Sequence, residues 1–284
     1  MSALIQQTDE WLEMRKNHIG ASDAPVIMLV SPWKTPAMLW EEKMGIKMRV
    51  PATEAMNRGL QLEEKARVEF EKETGIYVFP QILKHPKIEY MIASLDGIDI
   101  EHKNIVEIKC VNREDHAIAK SGNVPEKYYP QMQHQMEVCE LDQAYYYSFD
   151  GEKGVIVIVK RDDKYIEKMI KKEDEFYECM QDFVAPPLTE RDYVIKNDNA
   201  WIVAAKEYID LQTKMNSLEE RQSYLRSQLI DMSNNRNCRG SGIKLQRIVR
   251  RGSVDYSKIV EIIAVDVEKY RKAPVETWRI TEEK

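Results

Sequence analysis

Cysteine is sparse in this sequence of 284 residues, and its four copies, Cys110, Cys139, Cys179 and Cys238, stand too far apart to form any paired metal-binding spacing. Read as reduced thiols, they exclude a zinc ribbon and a cysteine-ligated iron–sulfur cluster. No apolar run approaches the roughly 20 residues of a membrane span, and the first residues lack the apolar core of a signal peptide. A soluble, cytoplasmic protein with no membrane partner is the expectation. An excess of positive charge is missing as well: the formal net charge is −6, whereas a nonspecific DNA binder is usually basic overall. Local clustering can override that total. Internal repeats and low-complexity tracts are absent. A hydrophobic fraction of 43% supports a sizeable core and argues against global disorder. The length suits one large domain, or one domain with an appendage.

The stretch Met91 to Val111, MIASLDGIDIEHKNIVEIKCV, carries most of the chemistry. Asp96-Gly97 reads as a turn and Ile105 to Cys110 as a short apolar strand. Strand side chains alternate faces, so Glu107 and Lys109 share one side while Val106 and Ile108 point to the other. A carboxylate and an ammonium at a sheet edge, with a second carboxylate on a neighbouring strand, commonly build a metal-dependent phosphodiesterase site. The same residues also make a strand with a solvated ion pair. As a string, acid-x-lysine is unspecific in a chain that is 32% charged: Glu41-x-Lys43, Glu63-x-Lys65, Glu101-x-Lys103 and Asp162-x-Lys164 fit equally well. Only the triplet at Glu107 lies in an apolar, β-branched run.

Asp9 and Glu10 after Thr8 predict an N-cap and a short helix carrying Trp11, Met14 and Arg15. Gly20 to Pro25 predicts a turn into a second helix capped by Ser22 or Asp23, and Thr35-Pro36 opens a third that ends near Gly45. A longer helix, Thr53 to Thr74, stops at Gly75, and its apolar stripe of Met56, Leu60, Ala66 and Phe70 includes Glu63. An acid on a buried stripe has two readings, a carboxylate satisfied by an arginine or backbone group, or one aimed into a metal site. Strands are expected at Tyr77 to Leu83, Tyr90 to Leu95, Ile105 to Cys110, Ala144 to Phe149 and Val155 to Val159. A polar loop with Arg113, Asp115 and His116 leads to Pro125. The helix after it bears Tyr128, Gln131, Gln133, His134 and Gln135, and a further helix spans Asp163 to Phe183. This order predicts an α/β fold, a central mixed sheet flanked by helices.

Pro186-Pro187 marks the boundary between a domain over residues 1–188 and an accessory region over 189–284. In that region Trp201, Ala204, Tyr208, Leu211, Met215, Leu218, Leu225, Leu229 and Met232 alternate spacings of four and three, interrupted only at Gln222. That pattern predicts a long helix, coiled-coil-like over about four heptads, packed within the chain or in an assembly. Arg236, Arg239, Lys244, Arg247, Arg250 and Arg251 follow with no acid between them, around an expected strand at Ile243 to Val249. They make either a solvated basic hairpin or a contact to DNA phosphates. A terminal helix is expected over Tyr256 to Tyr270.

Six ordered motifs between Trp11 and Phe183 resemble one family, the phage-type recombination exonucleases typified by phage lambda exonuclease, within the PD-(D/E)XK restriction-endonuclease-like superfamily. They are W-x-x-x-R with I-x-A-S at Trp11, Arg15, Ile19, Ala21 and Ser22, R-G-x-x-x-E at Arg58 to Glu63, and S-x-D-G at Ser94 to Gly97. E-I-K-C at Glu107 to Cys110, Y-x-x-Q-x-Q at Tyr128 to Gln133 and R-D-D-K-Y at Arg161 to Tyr165 complete the set. The resemblance implies that Asp96, Glu107, the Ile108 carbonyl and Glu63 hold Mg²⁺, or Mn²⁺ in its place, as one or two ions. It implies that Lys109 holds or helps to deprotonate the attacking water, and that Gln131 with Tyr128 orients water and substrate. Arg15, Ser22 and Ser94, with Arg113 beside them, would receive a terminal 5′-phosphate through charge-assisted hydrogen bonds. The implied activity is 5′→3′ degradation of double-stranded DNA from its ends, releasing 5′-mononucleotides and leaving 3′ overhangs. A ring-shaped homo-oligomer, a trimer by resemblance, a single-strand annealing protein as partner, and a bacterial or phage-infected cell as setting are implied with it. The alternatives are an endonuclease of the same superfamily, and a DNA-binding or assembly protein with a vestigial nuclease site.

Overall fold

Six runs rich in β-branched and aromatic residues pair into one mixed sheet: β1 (Ile19–Gly20), β2 (Phe79–Lys84), β3 (Met91–Ile98), β4 (Ile105–Cys110), β5 (Gln143–Phe149) and β6 (Gly154–Lys160). The computed structural model describes residues 9–47 and 54–248, with backbone alone for Asp9, Leu12 and residues 54–60. The strand order is β1-β3-β4-β5-β6, with β2 also on β3. β1 and β2 both pair with Ile92, and β2 and β4 both pair with Ile98, so β1 and β4 share one edge of β3 while β2 takes the other. β4 pairs with β3 through Gly97↔Val106 and Ile98↔Ile105, then runs parallel to β5 from Val106↔Tyr145 to Cys110↔Phe149. The edge of β3 from Ala93 to Asp96 therefore lies in a fork between β1 and β4.

Helices cover both faces. On one side α2 (Ala24–Ile27), α3 (Pro36–Lys43), α6 (Tyr129–Cys139) and α7 (Asp163–Gln181) bury a core that includes Ile27, Leu39, Met132, Met136, Met169 and Phe176 against Leu95, Ile98 and Tyr146. On the other, Ala66 and Phe70 of α4 (Glu54–Thr74) pack on Val106, Ile108, Tyr147 and Phe149. The apolar half of the β4 alternation thus seats α4, which leaves Glu107 and Lys109 on the opposite face, as the period of two requires. Thr35 caps α3, accepting from the Met38 amide at 3.2 Å.

Two expected elements are corrected. Asp96-Gly97 is not a turn but lies inside β3, and the chain reverses at residues 99–104, where the Asp99 carboxylate accepts the amides of Lys103 and Asn104 at 2.8 and 3.2 Å. Gly97 serves close approach rather than a turn, because a Cβ there would meet Val78 at 2.6 Å and Val106 at 2.7 Å. The polar segment after β4 is not a loop but a helix, α5 (Arg113–Lys120), with Asn112 as its cap through the Asp115 amide at 3.0 Å. Only Asp115, His116 and Ala119 of α5 are buried, so its buried face is mostly polar and carries little hydrophobic signal. Asp23 precedes α2, but its side chain makes no capping bond there.

The chain divides into two units, Met1–Val194 and Ile195–Lys284. The segment after Pro187 is tied to the first unit by a 3₁₀ turn, Glu190–Asp192, whose Asp192 carboxylate accepts from Thr35. The second unit contains α8 (Asn199–Met232), exposed along its heptad stripe, and a hairpin of β7 (Cys238–Gly240) with β8 (Ile243–Leu245). Arg236, Arg239, Lys244 and Arg247 are exposed there, while Arg250, Arg251 and the expected terminal helix lie outside the described residues. No helix among the described residues is long and apolar enough to cross a membrane. The Gly97 environment is directly testable: Gly97→Ala is expected to lower unfolding free energy by about 1–3 kcal/mol through overpacking. A second change, Val78→Ala, should restore part of it in denaturant titrations.

Candidate active site

The divergence of β4 from β3 exposes backbone donors that a regular ladder would use, and Asp96 takes one of them. Its Oδ2 accepts the Ile108 amide at 2.9 Å. Glu107, the next residue along β4 from the last paired position, is buried at 1% exposure, and a carboxylate there requires donors. Three converge on it. Gln131 Nε2 donates to Oε1 at 2.6 Å, Lys109 Nζ contacts the same oxygen, and Gln135 Nε2 donates to Oε2. Gln131 and Gln135 are one turn apart on α6, so a single helix face grips both oxygens. His134, between them, points the other way, with Nε2 2.9 Å from the Ile92 carbonyl of β3 and Nδ1 2.9 Å from Glu173 of α7. Burial lowers its basicity, but Glu173 more than compensates, so the imidazole is raised above its ordinary value.

Electrostatics tie a third carboxylate to this pair. Burial lifts the Asp96 carboxyl well above its ordinary value, with Glu107 and Glu63 pushing the same way and Lys109 opposing. Glu63, half-buried on α4, is also raised, by burial first and by Glu107, against Arg67 and Lys109. Burial opposes the charge on Lys109, but Glu107 and Asp96 outweigh it, so this ammonium is held above its ordinary value. Mutual repulsion among three carboxylates, beside the Ile108 backbone, is what a hard divalent cation relieves, and the donors are oxygens as such a cation requires. As the side chains stand, no three His, Cys, Asp or Glu among the described residues are spaced to hold a metal ion. Both oxygens of Glu107 are instead engaged by protein donors.

A second group of expected residues meets two residues away on the same strand. Arg15 Nη2 donates to Ser22 Oγ at 2.7 Å, and its guanidinium lies over the Trp11 ring, 4.9 Å from the centroid. Trp11 Nε1 donates to Ser94 Oγ at 3.1 Å. Arg15, Ser22 and Ser94 are thereby linked, with Ser22 exposed and Arg15 and Ser94 half-buried. Beneath them lies buried charge: Lys43 Nζ reaches Asp23 Oδ2 at 2.8 Å and the Arg15 and His18 carbonyls at 2.8 and 2.7 Å. Asp23 Oδ1 is 3.4 Å from Arg15. Burial would raise the Asp23 carboxyl, but Lys43 and Arg15 outweigh it and hold it at about 2.

Tyr128 stands at the mouth, its ring 5.3 Å from Lys109 Nζ and its hydroxyl 3.4 Å from Asp115 Oδ2. Arg113 is exposed at the first residue of α5, and none of the described hydrogen bonds or ion pairs joins it to the Arg15 group. Gln135 is a site residue that the motifs do not mark, although its i+4 spacing from Gln131 was the available signal. Lys43 is another, because an acid-x-lysine triplet in a helix gives no sign that its lysine will be buried.

Residues 10–142 match the family model of the YqaJ-like viral recombinase domain. The protein YqaJ of Bacillus subtilis (strain 168) is 34% identical over 178 residues, which is 60% of this chain and 55% of that relative, so the chain spans about half of the relative's length. Crystal structures of the alkaline exonuclease LHK-Exo from Laribacter hongkongensis, one of them in complex with dAMP, superpose with a TM-score of 0.55 at 25% identity. They cover 62% of this chain and 94% of the exonuclease. The core is the restriction-endonuclease-like α/β fold of that exonuclease.

The buried Asp23 makes a pH-resolved prediction. Its folded value near 2 lies below the unfolded one, so its stabilisation is present above about pH 4 and lost as pH falls through about 2. Asp23→Asn should cost about 3 kcal/mol at neutral pH by stranding Lys43. In urea titrations between those pH values, the variant should show a shallower acid limb than the parent.

Proposed function

We propose that the protein is a Mg²⁺-dependent exonuclease that degrades double-stranded DNA 5′→3′, a reading that starts from the match of residues 10–142 to the YqaJ-like viral recombinase domain. The observation that carries this reading is the two-residue separation of Ser94 and Asp96 on the open edge of β3. One belongs to a group of anion donors with Arg15 and Ser22, the other to the carboxylate group with Glu107, Lys109 and Glu63. A terminal phosphate held by the first group delivers the adjacent phosphodiester to the second. An alkaline exonuclease with the same fold supports the same chemistry.

In this reading Arg15 and Ser22 bind the 5′-phosphate dianion, and Trp11, through Ser94 and the guanidinium face, fixes their positions. Asp96, Glu107 and the Ile108 carbonyl are the ligands for the cation, with Glu63 completing the carboxylates. When bound, Mg²⁺ supplies charge to the scissile phosphate and acidifies a water. Lys109, in contact with Glu107, holds the attacking water or helps to deprotonate it. Gln131 and Gln135 orient Glu107, whose Oε2 accepts from Gln135 and keeps a lone pair for the cation.

The test is mononucleotide release from a 5′-phosphorylated linear duplex in Mg²⁺, beside a covalently closed circle and a 5′-hydroxyl duplex. Release from the phosphorylated end alone is expected, and Lys109→Ala and Asp96→Asn should each slow it by about 100-fold or more. Cutting of the closed circle, or release indifferent to Lys109→Ala, refutes the proposal. Gln135→Leu should raise the Mg²⁺ concentration for half-maximal rate about tenfold, with recovery at high Mg²⁺. The exposed Arg236, Arg239, Lys244 and Arg247 make a further interface with DNA phosphates. Replacing all four with alanine should flatten the salt dependence of DNA affinity by about 0.9 logarithmic units for each phosphate they neutralise, and an unchanged slope removes them from the DNA interface.

A further inference from the structure

Trp33 has no role in the core, yet its surroundings are built. Its side chain is 63% exposed, on the loop between α2 and α3. The loop backbone beneath it is tied down from several sides. The buried hydroxyl of Ser31 accepts the amides of Trp33 and Lys34 at 3.3 and 3.4 Å. Arg191 donates to the carbonyls of Ser31 and Pro32, both at 2.8 Å, and Pro32 fixes its own φ. Thr35, which follows, caps α3 and donates to Asp192. An exposed indole on an otherwise rigid loop is a preorganised surface, since its backbone loses little further freedom when something lands on it.

The indole also has a direction. Its ring lies 6.5 Å from the Tyr128 ring at an interplanar angle of 32°, and Lys127 Nζ sits 5.2 Å from each of the two ring centroids. Lys127 is itself paired with Asp115 at 2.7 Å. Tyr128 in turn faces Lys109, which contacts Glu107. A continuous series of ring and cation contacts therefore runs from the buried carboxylate to an open aromatic face. We propose that Trp33, with Tyr128 and Lys127, forms a stacking platform for a nucleobase of the DNA end held at the active site. This rests on the nuclease reading above. Flat, uncharged and rigid, the indole offers every base the same π-face, so the contact is tolerant of sequence, while Lys127 offers charge to the adjoining backbone.

The platform is tested with a 5′-phosphorylated duplex carrying 2-aminopurine at its terminal position, titrated with the full chain in Ca²⁺, and in parallel by steady-state mononucleotide release in Mg²⁺. Stacking on the indole should quench 2-aminopurine in the parent and in Trp33→Phe, and the quenching should be lost in Trp33→Ala. The alanine variant should show about tenfold lower kcat/KM, carried mainly by KM, with Trp33→Phe and Trp33→Tyr within about threefold of the parent. Because the side chain is exposed, its thermal unfolding should match the parent. Equal quenching and equal kcat/KM in Trp33→Ala overturn the platform and make the indole a protein-contact residue. Indole-dependent quenching by a parent that releases no mononucleotide sinks the nuclease reading while leaving the platform standing as a DNA-end site.

Discussion

A carboxylate buried in a protein core is costly unless donors satisfy its oxygens, and Glu107 is at 1% exposure. Its retention depends on three donors from two elements, Lys109 on its own strand and Gln131 with Gln135 on α6. That requirement fixes where α6 must lie. The helix is pinned to β3 and α7 by His134 through the Ile92 carbonyl and Glu173, so the orientation of the two glutamines is set by a buried network rather than by surface contacts. Asp96, closing the fork at the Ile108 amide, completes a frame in which strand divergence and carboxylate placement are one feature.

The second buried charge group serves the neighbouring pocket in the same way. Lys43 directs its donors to Asp23 and to two carbonyls at the end of α1 (Asp9–Asn17), and Asp23 in turn steadies Arg15. Buried ion pairs of this kind contribute little net stability relative to apolar packing, but they specify geometry because misplacing either partner strands a charge. Here the geometry specified is that of a guanidinium whose face rests on Trp11 and whose edge meets Ser22. Both charge groups therefore fix the side chains around them, and β3 joins the two through Ser94 and Asp96.

Much of this was legible from residue order. β4 is found at the expected residues, Ile105 to Cys110, because its short β-branched run is buried on both faces of the sheet. The grouping of Arg15, Ser22 and Ser94, and that of Asp96, Glu107 and Lys109, follow the expected motifs. The Asp-Gly pair misled because a glycine demanded by Val78 and Val106 from neighbouring segments looks locally like a glycine demanded by a turn. α5 was hidden since its burial is of Asp115 and His116 rather than of apolar residues. Arg113 was expected beside Arg15 and Ser22, and none of the described hydrogen bonds or ion pairs joins it to them; it is exposed at the start of α5.

By itself the sequence determined the elements with strong periodicity, the apolar and polar faces of β4 and α4, and the residue types able to do phosphodiester chemistry. Those properties are local, since period and side-chain chemistry belong to a few consecutive residues. Only the tertiary structure decided that Gln135 joins Gln131 on Glu107, that Lys43 lies buried under Arg15, and that the chain between Ser31 and Thr35 is held rigid by residues 191 and 192. These are contacts between segments separated by up to 160 positions, made by side chains whose burial depends on which elements pack above them. No local pattern encodes that.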